Sequence, residues 1–342
     1  MASLEKNIIE LCTKLGKNAL LVQGAGGNIS WKEGDILWVK GSGAWLAHAN
    51  QSNIFVPVNL SRLTKALLKN DFDVQPELVG VHSLSPSIET ALHALMPQKI
   101  VAHLHAIEAL AHLIHVDSQK RVFKIFEQLN NGMTHPAFIQ YYKPGGQLAR
   151  EIHKTLTDNP KTNLIFLKNH GVIIGADSID EINSLLKSLL SVCSRNIPTL
   201  VYEHYELPAM EIESTHEYIH FPDIEVQSLA LDPLLYGRLE KDWVLYPDHA
   251  VFLGAKSFTY SSWKDFFMQA NSLSLLPELI FIENKGVFIK PEFNSAKNAQ
   301  LRCYFDVIRR VMPNEHLDPL SYAAIDALLN WDAEKLRQKL AG

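Results

Sequence analysis

The rhythm of apolar and polar positions changes several times along the chain, and each change predicts an element. Residues 1–17, MASLEKNIIELCTKLGK, carry charges throughout and lack an unbroken apolar core. They predict an amphipathic helix of the fold rather than a secretory leader. LLVQGAGGNIS predicts a strand end and a glycine-rich turn, and DILWVKGSG a second strand and turn. Residues 60–69 alternate apolar and basic side chains at helical spacing and predict a packing helix; residues 75–86 are loop-like. Ser87 caps the next predicted helix, with Glu89 in its first turn and Leu92 and Leu95 in the core. His93 falls on the same face as Glu89 and reads as structural or supporting.

KIVAHLHA then predicts a buried strand, and EALAHLIH a helix whose His112 and His115 are structural. FIQYYKPGGQLAREIH predicts a strand, a Pro-Gly-Gly turn and a helix. NLIFL and GVIIGA are short apolar runs joined by a tight connection at Asn169 and Gly171, and residues 178–195 form a helix capped by Ser178 or Asp177. From about residue 197 the texture turns acidic and weakly periodic, and residues 202–225 read as a surface connection. Beyond it, DWVLYPDHAVFLGA, ELIFIENKGVFIKP and helices over 295–311 and 320–340 predict a small α+β unit. Asp248 and His249 read as a carboxylate-oriented imidazole or, in preference, as a polar turn before a strand over 250–254.

The chain is long enough for one large domain or two ordinary ones, and 47% hydrophobic with 20% charged residues is the balance of a globular protein. A net charge of −5 without a basic run disfavours nucleic acid. No apolar stretch reaches the ~20 residues that span a bilayer, so no membrane partner is expected. Cys12, Cys193 and Cys303 are far apart and odd in number, which suits reduced thiols and a cytoplasmic location.

The candidate chemistry centres on His103 and His105. Residues two apart in a strand point the same way, so two imidazoles can reach one ion, although strand His-x-His pairs also occur without metal. His170, between its two apolar runs, is the candidate third ligand. Three neutral imidazoles leave a coordination position open, the arrangement of a catalytic zinc site. Gly24, Gly26 and Gly27 can turn several N–H groups toward an anion or form an ordinary tight turn. Lys40 either adds charge there or is solvated.

GAGGNIS at 24–30, VKGSG at 39–43, PSIE at 86–89, HLH at 103–105 and LKNHG at 167–171 follow one another in the order seen in the class II aldolase/adducin family, and the chain resembles that family over about residues 5–205. Its tail resembles that of long family members, such as the aldolase half of bifunctional rhamnulose-phosphate aldolase/lactaldehyde dehydrogenase proteins.

The resemblance implies a three-layer α-β-α catalytic domain at 1–210 with a central, mainly antiparallel sheet, and a smaller C-terminal α+β extension at 211–342. It implies a divalent metal, zinc with manganese or cobalt as substitutes, held by His103, His105 and His170. Glu89 is implied as the proton-transferring carboxylate. The substrate phosphate would rest on Gly26, Gly27, Asn28, Ser42, Gly43 and Ser87, the last competing with its role as a cap. The implied activity is reversible retro-aldol cleavage of a phosphorylated ketose to dihydroxyacetone phosphate and an aldehyde, through an enediolate, by a homo-oligomer that is tetrameric in the resembling aldolases. Two alternatives stand beside it: a sugar-phosphate 4-epimerase, and an adducin-like binding protein without chemistry. The sequence departs from the fuculose-phosphate type at Ala25, where a hydroxyl residue is usual, and the proton-donating tyrosine has no match; Tyr141 and Tyr142 are weak candidates for substrate contact.

Overall fold

A computed structural model of the protein describes residues 2–129, 132–195, 197, 218–270 and 272–341. Seven strands build the main sheet: β1 (Asn28–Glu33), β2 (Ile36–Lys40), β3 (Phe55–Asn59), β4 (Ile100–Leu104), β5 (Pro136–Ile139), β6 (Leu164–Leu167) and β7 (Gly171–Ala176). Their order is β3-β2-β1-β4-β7-β6-β5, and every pair is antiparallel except β5 with β6.

Strand alternation sends successive side chains to opposite faces, and both faces are covered. Ile29, Trp31, Ile100, Ala102, Leu104, Leu164, Phe166, Val172 and Ile174 join one core with Ile8, Leu11, Leu110, Ile125 and Leu186 from helices Ala2–Gly16, Ile107–Leu113, Ser118–Leu129 and Ile179–Cys193. On the other face Val101, Ile165, Leu167 and Ile173 meet Leu92, Leu148 and Ile152 from helices Thr90–Leu95 and Gly146–Asp158. Leu37, Val39, Val56 and Val58 meet Leu63 and Leu67 of helix Leu60–Leu67. This is the expected three-layer arrangement around a mainly antiparallel sheet. Each fully buried Leu, Ile or Phe contributes about 1.5–3 kcal/mol to it.

A second sheet contains β8 (Ile219–His220), β9 (Thr259–Tyr260), β10 (Leu279–Ile282) and β11 (Gly286–Ile289) in the order β8-β11-β10-β9. The helix Ser295–Ile308 packs beside it, and its Leu301, Tyr304, Phe305 and Val307 share one continuous core with Ile8, Leu104 and Phe166. The additional C-terminal region is therefore joined to the main sheet by buried side chains.

Three expectations change in this region. The predicted strand at 250–254 is part of a helix, Pro247–Leu253, buried from Pro247 to Phe252. A helix covered on all sides shows no polar stripe, so its sequence reads like a buried strand. The single helix expected over 320–340 is two, Tyr322–Leu329 and Asp332–Ala341, broken at Asn330 and Trp331. The end of the expected connection is built in: Tyr218 is buried, its hydroxyl donating to the Pro277 carbonyl (2.7 Å), and Ile219 and His220 form β8. The rest of that connection, 202–217, and the expected boundary at 210/211 lie outside the described residues. Cys12, Cys193 and Cys303 are buried and unpaired. Among the described residues no helix is long and apolar enough to cross a membrane.

Candidate metal centre

His103 lies near the end of β4, on the face shared with Val101, and pairs in register with Asn28 of β1 and Ile173 of β7. His105 follows just past the strand end. His170 sits in the β6–β7 turn, where Asn169 takes the left-handed conformation (φ 53°). That turn is tied down from outside: Asn169 Nδ2 donates to the carbonyls of Leu245 (2.9 Å) and Asp318 (2.8 Å). Local strand geometry places the first two imidazoles, and long-range hydrogen bonds place the third.

The three imidazoles converge. One ring nitrogen from each lies within 4.8 Å of the others, and ring centroids are 4.8 to 5.5 Å apart. Glu89 stands between two of them, with Oε2 3.5 Å from His103 Nε2 and Oε1 3.4 Å from His170 Nε2. All four side chains are buried. Glu89 reaches this position because it precedes its helix, Thr90–Leu95, rather than lying in the first turn as predicted. The Ser87 hydroxyl accepts the Glu89 N–H at 3.3 Å, and the Thr90 hydroxyl donates to the Ser87 carbonyl at 2.6 Å, so Ser87 organises the approach to the helix.

The charge balance favours ligation. Burial lowers the His105 pKa to about 3 and the His170 pKa to about 4, so both rings are neutral near pH 7. His103 Nδ1–H donates to the Val172 carbonyl (3.1 Å), which leaves the Nε2 lone pair facing Glu89. Burial pushes the Glu89 pKa up, but His103, His170 and the Asn28 amide pull it down to about 2. His103 Nε2, His170 Nδ1 and Glu89 Oε1 are buried without hydrogen-bond partners. Three converging imidazoles, two of them held neutral by burial, beside an ionised carboxylate fit a divalent cation.

A hydrogen-bonded relay fixes Glu89. Asn28 Nδ2 donates to Glu89 Oε2 (2.9 Å) and to Ser87 Oγ (3.3 Å). His93 Nε2–H donates to Asn28 Oδ1, and the Ser30 hydroxyl donates to His93 Nδ1 at 2.7 Å. With its carbonyl committed to His93, the Asn28 amide must turn its N–H groups toward the carboxylate. His93 supports the site as expected; the link from Asn28 to Glu89 was not anticipated.

Gly27, Asn28, Ser42, Gly43 and Ser87 line one cavity with Glu89, His105 and His170. Gly26 borders it: a Cβ there would lie 2.8 Å from His105 Nδ1. Gly43, at φ 76°, packs against Leu340 of the C-terminal helix. Lys40 is buried rather than solvated, its ammonium donating to the carbonyls of Ala25 (2.7 Å) and Ala44 (2.9 Å), and burial lowers its pKa to about 7. It ties the glycine-rich turn to the turn at 41–44.

Asp248 is not in a polar surface turn. It lies 3% exposed in the cavity wall, ion-paired through Oδ1 to Arg337, whose Nε donates to Glu334 at 2.5 Å. Burial would raise the Asp248 pKa, but Arg337 and His105 hold it well below the usual carboxylate range. Arg337 and Glu334 carry no local signal in the sequence because NWDAEKLRQKL has the pattern of a solvated amphipathic helix. Tyr141 and Tyr142 are not among the cavity-lining side chains; they pack against the cores on opposite sheet faces. His112 bonds to the Cys193 carbonyl at 2.9 Å, and His115 lies 3.4 Å from Glu315, both remote from the cavity.

Residues 6–197 match the family model described as the Class II Aldolase and Adducin N-terminal domain. An uncharacterized oxidoreductase, YuxG, of Bacillus subtilis strain 168 is 27% identical over 273 residues, covering 72% of this chain and 38% of the relative. The L-fuculose phosphate aldolase of Methanocaldococcus jannaschii is 28% identical over 182 residues, covering 52% of this chain and 86% of the relative. Among solved structures, the N-terminal class II aldolase domain of a conserved protein from Thermoplasma acidophilum covers 54% of this chain and 89% of its own, with 25% identity and a TM-score of 0.45. The chain thus spans well under half of the Bacillus relative and most of the Methanocaldococcus one.

Proposed function

Because the chain belongs to the class II aldolase and adducin family, we propose that it is a metal-dependent aldehyde-lyase that reversibly cleaves a phosphorylated ketose into dihydroxyacetone phosphate and an aldehyde. The observation that carries this reading is the buried convergence of His103, His105 and His170 around Glu89. The all-nitrogen donor set suits zinc, with manganese or cobalt as substitutes. A divalent cation bound there supplies Lewis acidity toward a ketose carbonyl and its neighbouring hydroxyl. The name of the Methanocaldococcus relative supports a sugar phosphate as the substrate class.

The chain's own groups have separate tasks in this reading. Glu89, ionised and aimed by Asn28, takes a proton at a carboxylate oxygen and returns it to the substrate. The backbone at Gly26 and Gly27, with Ser42, Gly43 and Ser87, receives the phosphate and holds the reacting carbons beside Glu89. Surrounding burial excludes water from the carboxylate and the imidazoles.

The test is a screen of ketose 1-phosphates with zinc-loaded protein, coupled to detection of dihydroxyacetone phosphate. Release of that product with a matching aldehyde is expected. Conversion of a pentulose phosphate to its epimer without released aldehyde would transfer the assignment to a 4-epimerase. Protein that takes up no metal and turns over no substrate would point to a binding protein.

A further inference from the structure

We propose that Asp248, from the C-terminal part of the chain, is a positioning residue for His105, orienting its imidazole so that the second nitrogen stays available to a divalent cation; the proposal rests on the metal-centre reading above. Asp248 Oδ2 lies 3.6 Å from His105 Nδ1, and both side chains are buried. Nothing in the local sequence joins them, since one follows β4 and the other lies on the helix Pro247–Leu253.

The carboxylate is itself held in place. Gln300 Nε2 donates to Oδ2 at 3.3 Å and also to the Gln23 carbonyl at 3.3 Å, anchoring Asp248 to the segment that leads into the glycine-rich turn. Arg337 binds the other oxygen, so the carboxylate is held in place from both sides. A carboxylate oxygen facing Nδ1 favours the tautomer with the proton on that nitrogen, which leaves Nε2 unprotonated. His103 receives the corresponding support from the Val172 carbonyl, again at Nδ1. Two of the three imidazoles thereby have an acceptor facing Nδ1, a backbone carbonyl at hydrogen-bond distance (3.1 Å) in one case and the Asp248 carboxylate at 3.6 Å in the other.

Gly26 supplies an independent sign that this approach shapes the turn. A Cβ at that position would stand 2.7 Å from Asp248 Oδ2 and 2.8 Å from His105 Nδ1, closer than any side chain tolerates. A residue without a side chain lets carboxylate and imidazole come together at the turn.

The experiment measures metal affinity rather than turnover. Wild-type protein, D248A and D248N are stripped with a chelator and titrated with zinc against a chromophoric competitor; cobalt-loaded samples are examined by visible absorption. D248A should bind zinc roughly 10–100-fold more weakly and show a shifted cobalt spectrum. D248N keeps an acceptor for Nδ1–H but not the charge, so a smaller loss, of several-fold, and a spectrum close to wild type are expected. Unchanged affinity and superimposable cobalt spectra in D248A would overturn the proposal while leaving the metal centre intact. Should D248A fail to fold by circular dichroism, an unchanged zinc affinity in D248N overturns it instead. Wild-type protein that binds no zinc defeats the metal-centre reading, and this inference with it.

Discussion

Two walls enclose the candidate metal centre, and they are built on different principles. The wall from the main sheet takes its groups from strand ends and tight turns: Asn28 at the start of β1, His103 near the end of β4, and His170 in the β6–β7 turn. The wall from the C-terminal part takes Asp248, Glu334 and Arg337 from helices. In the first, strand geometry aims His103 and His105, while Asn169, bonded to the Leu245 and Asp318 carbonyls, fixes the turn that carries His170. In the second, each side chain reaches the site only because helices that are distant in sequence pack there. The first wall presents imidazoles and one carboxylate to a ligand, whereas the second is a buried ion network that meets the first where Asp248 faces His105.

The largest effect should come from the sheet wall. His170→Ala removes one of three ligands, and the purified variant should retain less than about a tenth of the wild-type metal by elemental analysis, with loss of turnover to match. Retention of full metal would mean that the β6–β7 turn is not part of the centre. Next, Glu89→Gln should lower turnover about 10²–10⁴-fold while metal content stays near that of wild type. An equally active glutamine variant would remove Glu89 from proton transfer.

The C-terminal wall should respond in stability before chemistry. Arg337→Met leaves the carboxylates of Asp248 and Glu334 buried without their shared cation, which should destabilise the protein by about 3–5 kcal/mol in chemical denaturation. A variant as stable as wild type would show that the network is not held as tightly as its burial implies.

That contrast also explains what could be read from the sequence. His103 and His105 were legible because strand periodicity is local, and His170 because an Asn-His-Gly between two apolar runs marks a turn. The three-layer architecture is implied by the family resemblance carried by the five ordered motifs. Asp248 reads as a turn residue or as the partner of His249, not of His105, because the helix around it is buried on every side and shows no stripe. Arg337 and Glu334 looked like ordinary helix surface until the fold carried that helix to the cavity. The Asn28 relay to Glu89 joins residues 61 apart in the chain and leaves no local trace.

The smallest predicted effect concerns pH in metal-free protein. His93 and His249 are fully buried, and burial lowers the pKa of each to about 3, against 6.5 for an ordinary imidazole. The unfolded chain therefore binds protons on these residues below about pH 6.5 that the folded chain refuses until about pH 3. Stability from this source is complete above pH 6.5 and falls as pH drops toward 3. Between pH 7 and 5 these two rings alone should lower the thermal midpoint by roughly 5 °C, with His105 and His170 adding to the fall in the metal-free protein. A midpoint that is flat or rises on acidification would contradict the neutral, buried state of both rings.

X-ray absorption at the zinc edge of the loaded protein tests the convergence of the imidazoles most directly. One zinc per chain, with a first shell containing three imidazole nitrogens at about 2.0–2.1 Å, is the expected result. Sulfur in the first shell, imidazole signals too weak for three rings, or a spectrum unchanged in His103→Ala would contradict it.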